Sequence, residues 1–287
     1  MHVTHIVAHP PFREGTGTVC YYNSIALREL GCDVMVYAPH WRLNPSDEQL
    51  DSYRFMPCWL AVGNAFLTPQ ILSIDQTDLV HLHMHFIFGA ELLMFKLLAT
   101  SIPLVVTYHN DLIGIDMIRR SGFWLYNRTL APRILRKARK IILPSLDYVA
   151  MSIYGDSIFA ERKADLVEIP NGVDLELFDP ELEAGFIRAR HDLAPEDLVL
   201  LYVGSLDKAH VIKGLPMLLE AVSSLHDRSI KLLVVGDGDM RMGYADQARA
   251  LDIQDRVVFA GYRDLQAELP SYYAASDVVV IPSSFES

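Results

Sequence analysis

Leu200-Leu201-Tyr202-Val203-Gly204-Ser205-Leu206-Asp207-Lys208, continuing as Ala209-His210-Val211-Ile212-Lys213-Gly214-Leu215, reads as a strand, a polar glycine-bearing loop and the start of a helix. The strand is short and almost wholly apolar, which suits a parallel strand covered on both faces rather than one facing water. The same unit recurs in both directions. Downstream, apolar runs at 231–235, 257–260 and 278–281 alternate with amphipathic segments at 215–225, 240–251 and 265–275. Upstream, runs at 4–8, 33–38, 79–82, 104–108, 141–144 and 166–169 alternate with segments at 18–30, 89–99 and 146–154. Strand–helix alternation of this kind predicts the α/β class, with doubly wound parallel sheets.

One stretch interrupts the alternation. Residues 171–195 begin with Asn171-Gly172-Val173-Asp174, pass through Asp179-Pro180 and end near Ala194-Pro195, a concentration of turn formers. The chain of 287 residues suits two domains. The expected division is 1–180 and 181–287, two Rossmann-like domains facing a cleft. Ligands in such sheets bind beyond the carboxyl ends of the strands, so the cleft is the default site.

Composition narrows the classes. Hydrophobic residues make up 51% and charged ones 21%, which favours a packed core over disorder. A net charge of −11 argues against general nucleic-acid binding, which needs a basic face. Cys20, Cys32 and Cys58 are odd in number and lack ligand-like spacing, so a reduced, cytoplasmic setting is expected. The first residues lack the basic and apolar regions of a signal peptide. No stretch approaches the ~18–20 apolar residues of a membrane span. A surface association with membrane stays open.

The loops after strands carry the candidate chemistry. Gly15 and Gly17 precede a helix, where backbone N–H groups and the helix dipole suit an anion. A dinucleotide fingerprint fits this loop poorly: a third glycine is missing, and the second strand ends Val36-Tyr37-Ala38 without a ribose-binding acid. A plain tight turn is the competing reading. Lys208 and Lys213 lie between a strand end and the next helix, where a departing diphosphate needs positive charge; two solvated lysines are the bland alternative. Gly236 and Arg263 follow strands on the same edge, where backbone approaches a base or ribose.

Several strings resemble a known family. Glu168-Ile169-Pro170-Asn171-Gly172-Val173-Asp174, followed by Phe178 and Pro180, is similar to the interdomain signature of glycosyltransferase family 4. So are Val203-Gly204 with Lys213-Gly214, and the closing run Tyr273-Ala274-Ala275-Ser276-Asp277-Val278-Val279-Val280-Ile281-Pro282-Ser283-Ser284-Phe285-Glu286. They occur in the family's order along essentially the whole chain. The resemblance implies a retaining enzyme of the GT-B architecture that transfers a sugar from a UDP-, GDP- or ADP-sugar without a cofactor or obligatory metal. The donor then sits mainly on the second domain and the acceptor, a sugar or a lipid-linked one, mainly on the first.

On that resemblance Lys213 matches the diphosphate-binding lysine. The arginine usual after the position of Gly204 is Ser205 here, and Lys208 is the candidate replacement, although its ammonium is a point charge rather than a fork. Glu286 matches the first of two glutamates and contacts the donor sugar's hydroxyls. The second lies past Ser287, so weak or no turnover is expected of this chain. His109, in Thr107-Tyr108-His109-Asn110-Asp111, resembles a histidine placed near the transferred sugar. A strand-end loop contact is the alternative.

Two further features are left over. His81, His83 and His85 alternate on one strand and could share a face. That spacing can present metal ligands, but histidines entering a cleft need no metal, and none is expected. Arg119, Arg120, Arg128, Arg133, Arg136, Lys137, Arg139 and Lys140 crowd an acid-free segment around Phe123, Trp124, Leu125 and Tyr126. Residues 119–140 suit peripheral contact with an anionic inner membrane face. A solvated helix face is the alternative, and Pro132 is expected to interrupt any single long helix. Two other functions stay in view: a nicotinamide-dependent dehydrogenase, and a non-catalytic sugar-nucleotide or membrane-binding module.

Overall fold

The computed structural model of the chain describes residues 1–12, 14–41, 50–74, 77–114, 117–264 and 267–284. Two compact units emerge, Met1–Gly172 and a second beginning at Val173. The first contains β1 (His2–Ile6), α1 (Gly15–Glu29), β2 (Asp33–Pro39), β3 (Tyr53–Met56), β4 (Leu60–Val62), β5 (Ala65–Leu67), β6 (Leu79–Met84), α2 (Gly89–Leu98), β7 (Leu104–Tyr108), α3 (Met117–Lys137), β8 (Lys140–Leu143) and β9 (Leu166–Glu168). Its sheet runs β3-β2-β1-β6-β7-β8-β9 with every pair parallel. The order reverses between β1 and β6, so the loops after these two strands flank a ready-made crevice.

The second unit holds α4 (Gly185–Arg190), β10 (Leu198–Val203), α5 (Leu215–Ser224), β11 (Ile230–Val235), α6 (Arg241–Ala250), β12 (Val257–Gly261), α7 (Leu269–Ala274) and β13 (Val278–Val279). Its parallel sheet runs β12-β11-β10-β13 and reverses between β10 and β13. Strand periodicity divides β11 between two cores. Leu232 and Val234 join Leu218, Leu219 and Val222 of α5 and Tyr244 of α6. Leu233 and Val235 join Ile187 of α4 and Leu269 and Tyr272 of α7. Burial of both faces explains why these strands read as continuous apolar runs.

The boundary lies slightly ahead of the expected 180/181. Asp174 turns the chain by accepting from the backbone N–H groups of Glu176 and Leu177 at 3.1 Å each. Phe178 then packs edge-on against Tyr273 of α7, with centroids 5.4 Å apart. Residues just past Gly172 therefore belong to the second unit.

Other differences have local causes. Pro132 does not interrupt α3, which runs unbroken from Met117 to Lys137. Proline removes one intrahelical hydrogen bond. Burial of Tyr126, Ala131, Ile134, Leu135 and Ala138 outweighs that loss. Residues 146–154 form a short 3-10 turn (Leu146–Ala150) rather than a crossover helix. The Ser145 hydroxyl accepts from the Asp147 N–H there, a local bond that competes with helix. The antiparallel β4–β5 hairpin, closed by Gly63-Asn64 with Gly63 at φ +60°, was not anticipated.

Candidate functional site

In the second unit the loops after β10, β11 and β12 interlock through glycine backbone. The Gly204 N–H donates to Val235 O at 3.0 Å and the Gly236 N–H donates to Gly261 O at 2.9 Å. Gly236 has φ +145°, and a Cβ there would run into the Gly204 carbonyl. A β carbon on Gly238 would meet the backbone of Leu206 and Asp207. Glycine at these positions lets the three loops pack backbone against backbone.

Lys208 and Lys213 bound a 3-10 turn. Asp207 caps it, accepting the His210 N–H at 3.1 Å and meeting His210 Nδ1 at 2.8 Å. The Lys208 N–H donates to Asp239 Oδ1 at 2.9 Å. Gly214 adopts the left-handed region at φ +78° and leads into α5. The closing run of the sequence returns to this place. The Ser284 N–H donates to Ile212 O at 2.9 Å, and a Cβ on Gly214 would strike the Pro282 carbonyl. Two motifs some seventy residues apart therefore lie side by side at the amino end of a helix, next to a lysine. That is a suitable setting for a phosphate.

Arg263 stands differently. Its Nε donates to the Tyr272 hydroxyl at 2.6 Å, and its Nη1 lies 3.9 Å from Glu268. The guanidinium is tied to α7. Glu286 lies outside the described residues.

In the first unit Gly17 has a packing reason: a Cβ would collide with Pro10 O. Gly15 faces open space. Glu14 sits at the entry to α1. Its carboxylate accepts from Asn64 Nδ2 at 3.0 Å and lies 3.4 Å from His9 Nε2. Negative charge is therefore already present where the sequence reading placed an anion.

His109 lies just beyond β7, within a histidine array that only partly matches the expected His81/His83/His85 trio. His5 of β1 pairs in register with His81 of β6, and His83 pairs with Thr107 of β7. His5 Nδ1 lies 3.1 Å from His83 Nε2, and His83 Nδ1 lies 3.0 Å from His109 Nε2. His81 Nε2 meets Thr107 Oγ1 at 2.7 Å. His85 falls outside this group because β6 ends at Met84. It donates from Nε2 to Asn110 O at 2.9 Å and packs on Tyr108 and Tyr126. Burial disfavours the charged imidazole throughout: His5 and His109 are lowered to about 4, and His81 and His83 fall well below the ordinary value.

Asp111, which the sequence reading passed over, anchors the loop that carries His109. It accepts from the Tyr108 hydroxyl at 2.6 Å, the Ser152 hydroxyl at 2.8 Å and the Ile153 N–H at 2.8 Å. Its own N–H donates to the Tyr148 hydroxyl at 2.8 Å. This fully bonded carboxylate holds Tyr108 well above the ordinary tyrosine range, behind burial as the first cause.

Comparison with known proteins meets this geometry. The profile described as Glycosyltransferase Family 4 matches residues 13–177, and that described as Glycosyl transferases group 1 matches residues 197–287. An uncharacterized glycosyltransferase of Methanocaldococcus jannaschii is 28% identical over 225 residues, 75% of this chain and 54% of its own. Alpha-monoglucosyldiacylglycerol synthase of Streptococcus pneumoniae is 26% identical over 230 residues, 76% of this chain and 49% of its own. The chain spans about half the length of these relatives. Among solved structures, Anabaena HepE in complex with UDP and glucose has a TM-score of 0.73 at 19% identity, covering 99% of this chain and 75% of that one. The catalytic domain of Arabidopsis thaliana starch synthase IV, bound to ADP and acarbose, has 0.69 at 14%, covering 99% and 78%. The structural likeness speaks to fold, and the profile match to descent: the chain belongs to glycosyltransferase family 4.

Proposed function

We propose that this protein transfers a sugar from a nucleoside-diphosphate sugar to a hydroxyl acceptor with retention at the anomeric carbon. The observation that carries the reading is the convergence of Lys213-Gly214 with Pro282–Ser284 at the start of α5. A diphosphate placed there meets helix N–H groups and the Lys213 ammonium together, so its charge is stabilised as it leaves. Gly204 and Gly236 are proposed to let loop backbone approach the nucleoside closely. Lys208 adds positive charge at the same turn. Arg263 serves by holding the β12 loop to α7. Glu286 is proposed to contact the sugar's hydroxyls.

His109 is proposed to hydrogen-bond the transferred sugar. A neutral imidazole suits this, since a buried cation would repel an oxocarbenium-like centre. Asp111, two residues on, is fully engaged by Tyr108, Ser152 and Ile153, which supports a same-face route over attack by a carboxylate nucleophile. In that route the departing phosphate takes the acceptor's proton. No metal or cofactor is assigned.

The acceptor is proposed to be lipid-linked. α3 buries one face and turns Arg119, Arg120, Arg128, Arg133, Arg136 and Lys137 outward, beside Trp124 and Leu125 exposed at 58% and 57%. Arg128 stacks over Trp124 at 5.0 Å. Interfacial aromatics among basic residues favour an anionic bilayer surface. Among the described residues no helix is long and apolar enough to cross a membrane.

A thermal-shift screen tests the donor reading, because a ligand that binds only the native state raises its melting temperature. UDP, GDP or ADP is expected to stabilise the protein. Stabilisation by NAD alone would replace the proposal with a dehydrogenase.

A further inference from the structure

The histidine array does more than surround His109. His83 sits between two partners, with Nε2 3.1 Å from His5 Nδ1 and Nδ1 3.0 Å from His109 Nε2. His5 is 0% exposed and His83 1%. A neutral imidazole has one N–H and one acceptor nitrogen. Since His83 uses both nitrogens, both contacts are hydrogen bonds only if the three tautomers agree in direction. Either His5 donates to His83 and His83 to His109, or every bond is reversed.

The far end decides between them. His5 Nε2 is buried and has no hydrogen-bond partner. Running from His5 to His109 leaves a bare lone pair there. The reverse direction leaves an orphaned N–H, the rarer of the two defects in protein interiors.

A cation among His5, His81 and His83, each of which offers one ring nitrogen within 4.8 Å of the others', is the competing occupant. It brings two charges into a core where, among the described residues, burial and neighbouring histidines are what act on these rings, and unpaired buried charge is costly. The neutral hydrogen-bonded set is favoured.

We infer that His5 and His83 act as a tautomer lock that holds His109 protonated at Nδ1 and bare at Nε2. The inference rests on the proposed placement of His109 beside the sugar. There it makes His109 a standing hydrogen-bond donor to a sugar oxygen rather than a base. His5 and His83 are positioning residues.

The test reads nitrogen protonation directly and needs no donor or acceptor. Two-bond ¹H–¹⁵N correlation on histidine-labelled protein at pH 7 is expected to show Nδ1–H for His5, His83 and His109. His5→Phe removes the first donor, and His109 should pass from a single tautomer to a mixture. His5→Asn, whose amide retains a donor near the Nδ1 position, should restore the single state; circular dichroism establishes that each variant is folded. If His5→Phe does not fold, the wild-type and His5→Asn spectra still decide the matter. Nε2–H at His109 in the wild type, an unchanged spectrum in folded His5→Phe, or stoichiometric Zn²⁺ uptake onto these nitrogens would overturn the lock. Failure of nucleotide binding with the lock intact would count against the proposed function alone.

Discussion

Gly236→Ala measures how far the backbone of the second unit's loops dictates its stability. Gly236 occupies φ +145°, a region almost reserved for glycine, and its missing Cβ faces the Gly204 carbonyl. Forcing alanine into such a conformation costs roughly 1–3 kcal/mol. Relief of the clash parts the loops after β10 and β11, at the expense of Gly204 N–H to Val235 O and Gly236 N–H to Gly261 O. Each such bond contributes about 1 kcal/mol net. Together these come to about 3–5 kcal/mol. At a urea m-value of ~2 kcal/mol/M this lowers the unfolding midpoint by ~1.5–2.5 M. The two units can be read separately, since Trp41, Trp59 and Trp124 all lie in the first. Circular dichroism should show an early loss of the second unit's structure while tryptophan fluorescence keeps its wild-type midpoint. Gly243→Ala is the matched control. Gly243 is within α6, its Cβ would have only Met240 Cε nearby at 3.9 Å, and the change should stabilise by ~0.5–1 kcal/mol. Equal midpoints for Gly236→Ala and wild type would refute the steric reasoning.

Three other outcomes follow from the same geometry. Gly17→Ala should destabilise the first unit, because its Cβ meets Pro10 O, and here tryptophan fluorescence should report the shift. Burial lowers the folded-state values of His5, His81, His83 and His109 below 6.5. The unfolded chain therefore binds the extra protons, stability is full above about pH 6.5, and it should fall as pH drops toward 4, seen as a declining urea midpoint. On anionic vesicles, Trp124→Ser combined with Arg128→Ser should cut binding roughly tenfold, since ~1 kcal/mol attends each basic residue near the surface and an interfacial aromatic is lost. Added salt should weaken the wild type, and equal binding by both proteins would remove α3 from the interface.

Much of this molecule was legible in its sequence, for identifiable reasons. β7 and α5 announce themselves because burial on both faces or one stripe leaves an unmistakable period. The glycine-bearing loops of the second unit stand out because glycines and lysines cluster after its strands. What escaped depended on tertiary context. The β4–β5 hairpin is only six paired residues, and Gly63-Asn64 was its one turn signal. Pro132 was expected to break a helix that buried side chains hold together. His5 was invisible as a partner for His83, since only the parallel register of β1 against β6 brings them together. Asp111 reads as a loop acid until Tyr108, Ser152 and Ile153 are seen to surround it.

Calorimetric titration of UDP, GDP and ADP into the protein in EDTA, repeated with Lys213→Ala, probes the central claim most directly. One of the three should bind with a single site without metal, and loss of the lysine should weaken it at least tenfold, the ~1.4 kcal/mol that a charge-assisted phosphate contact supplies. Undiminished affinity in Lys213→Ala, or no binding of any of the three by folded wild-type protein, would contradict the account.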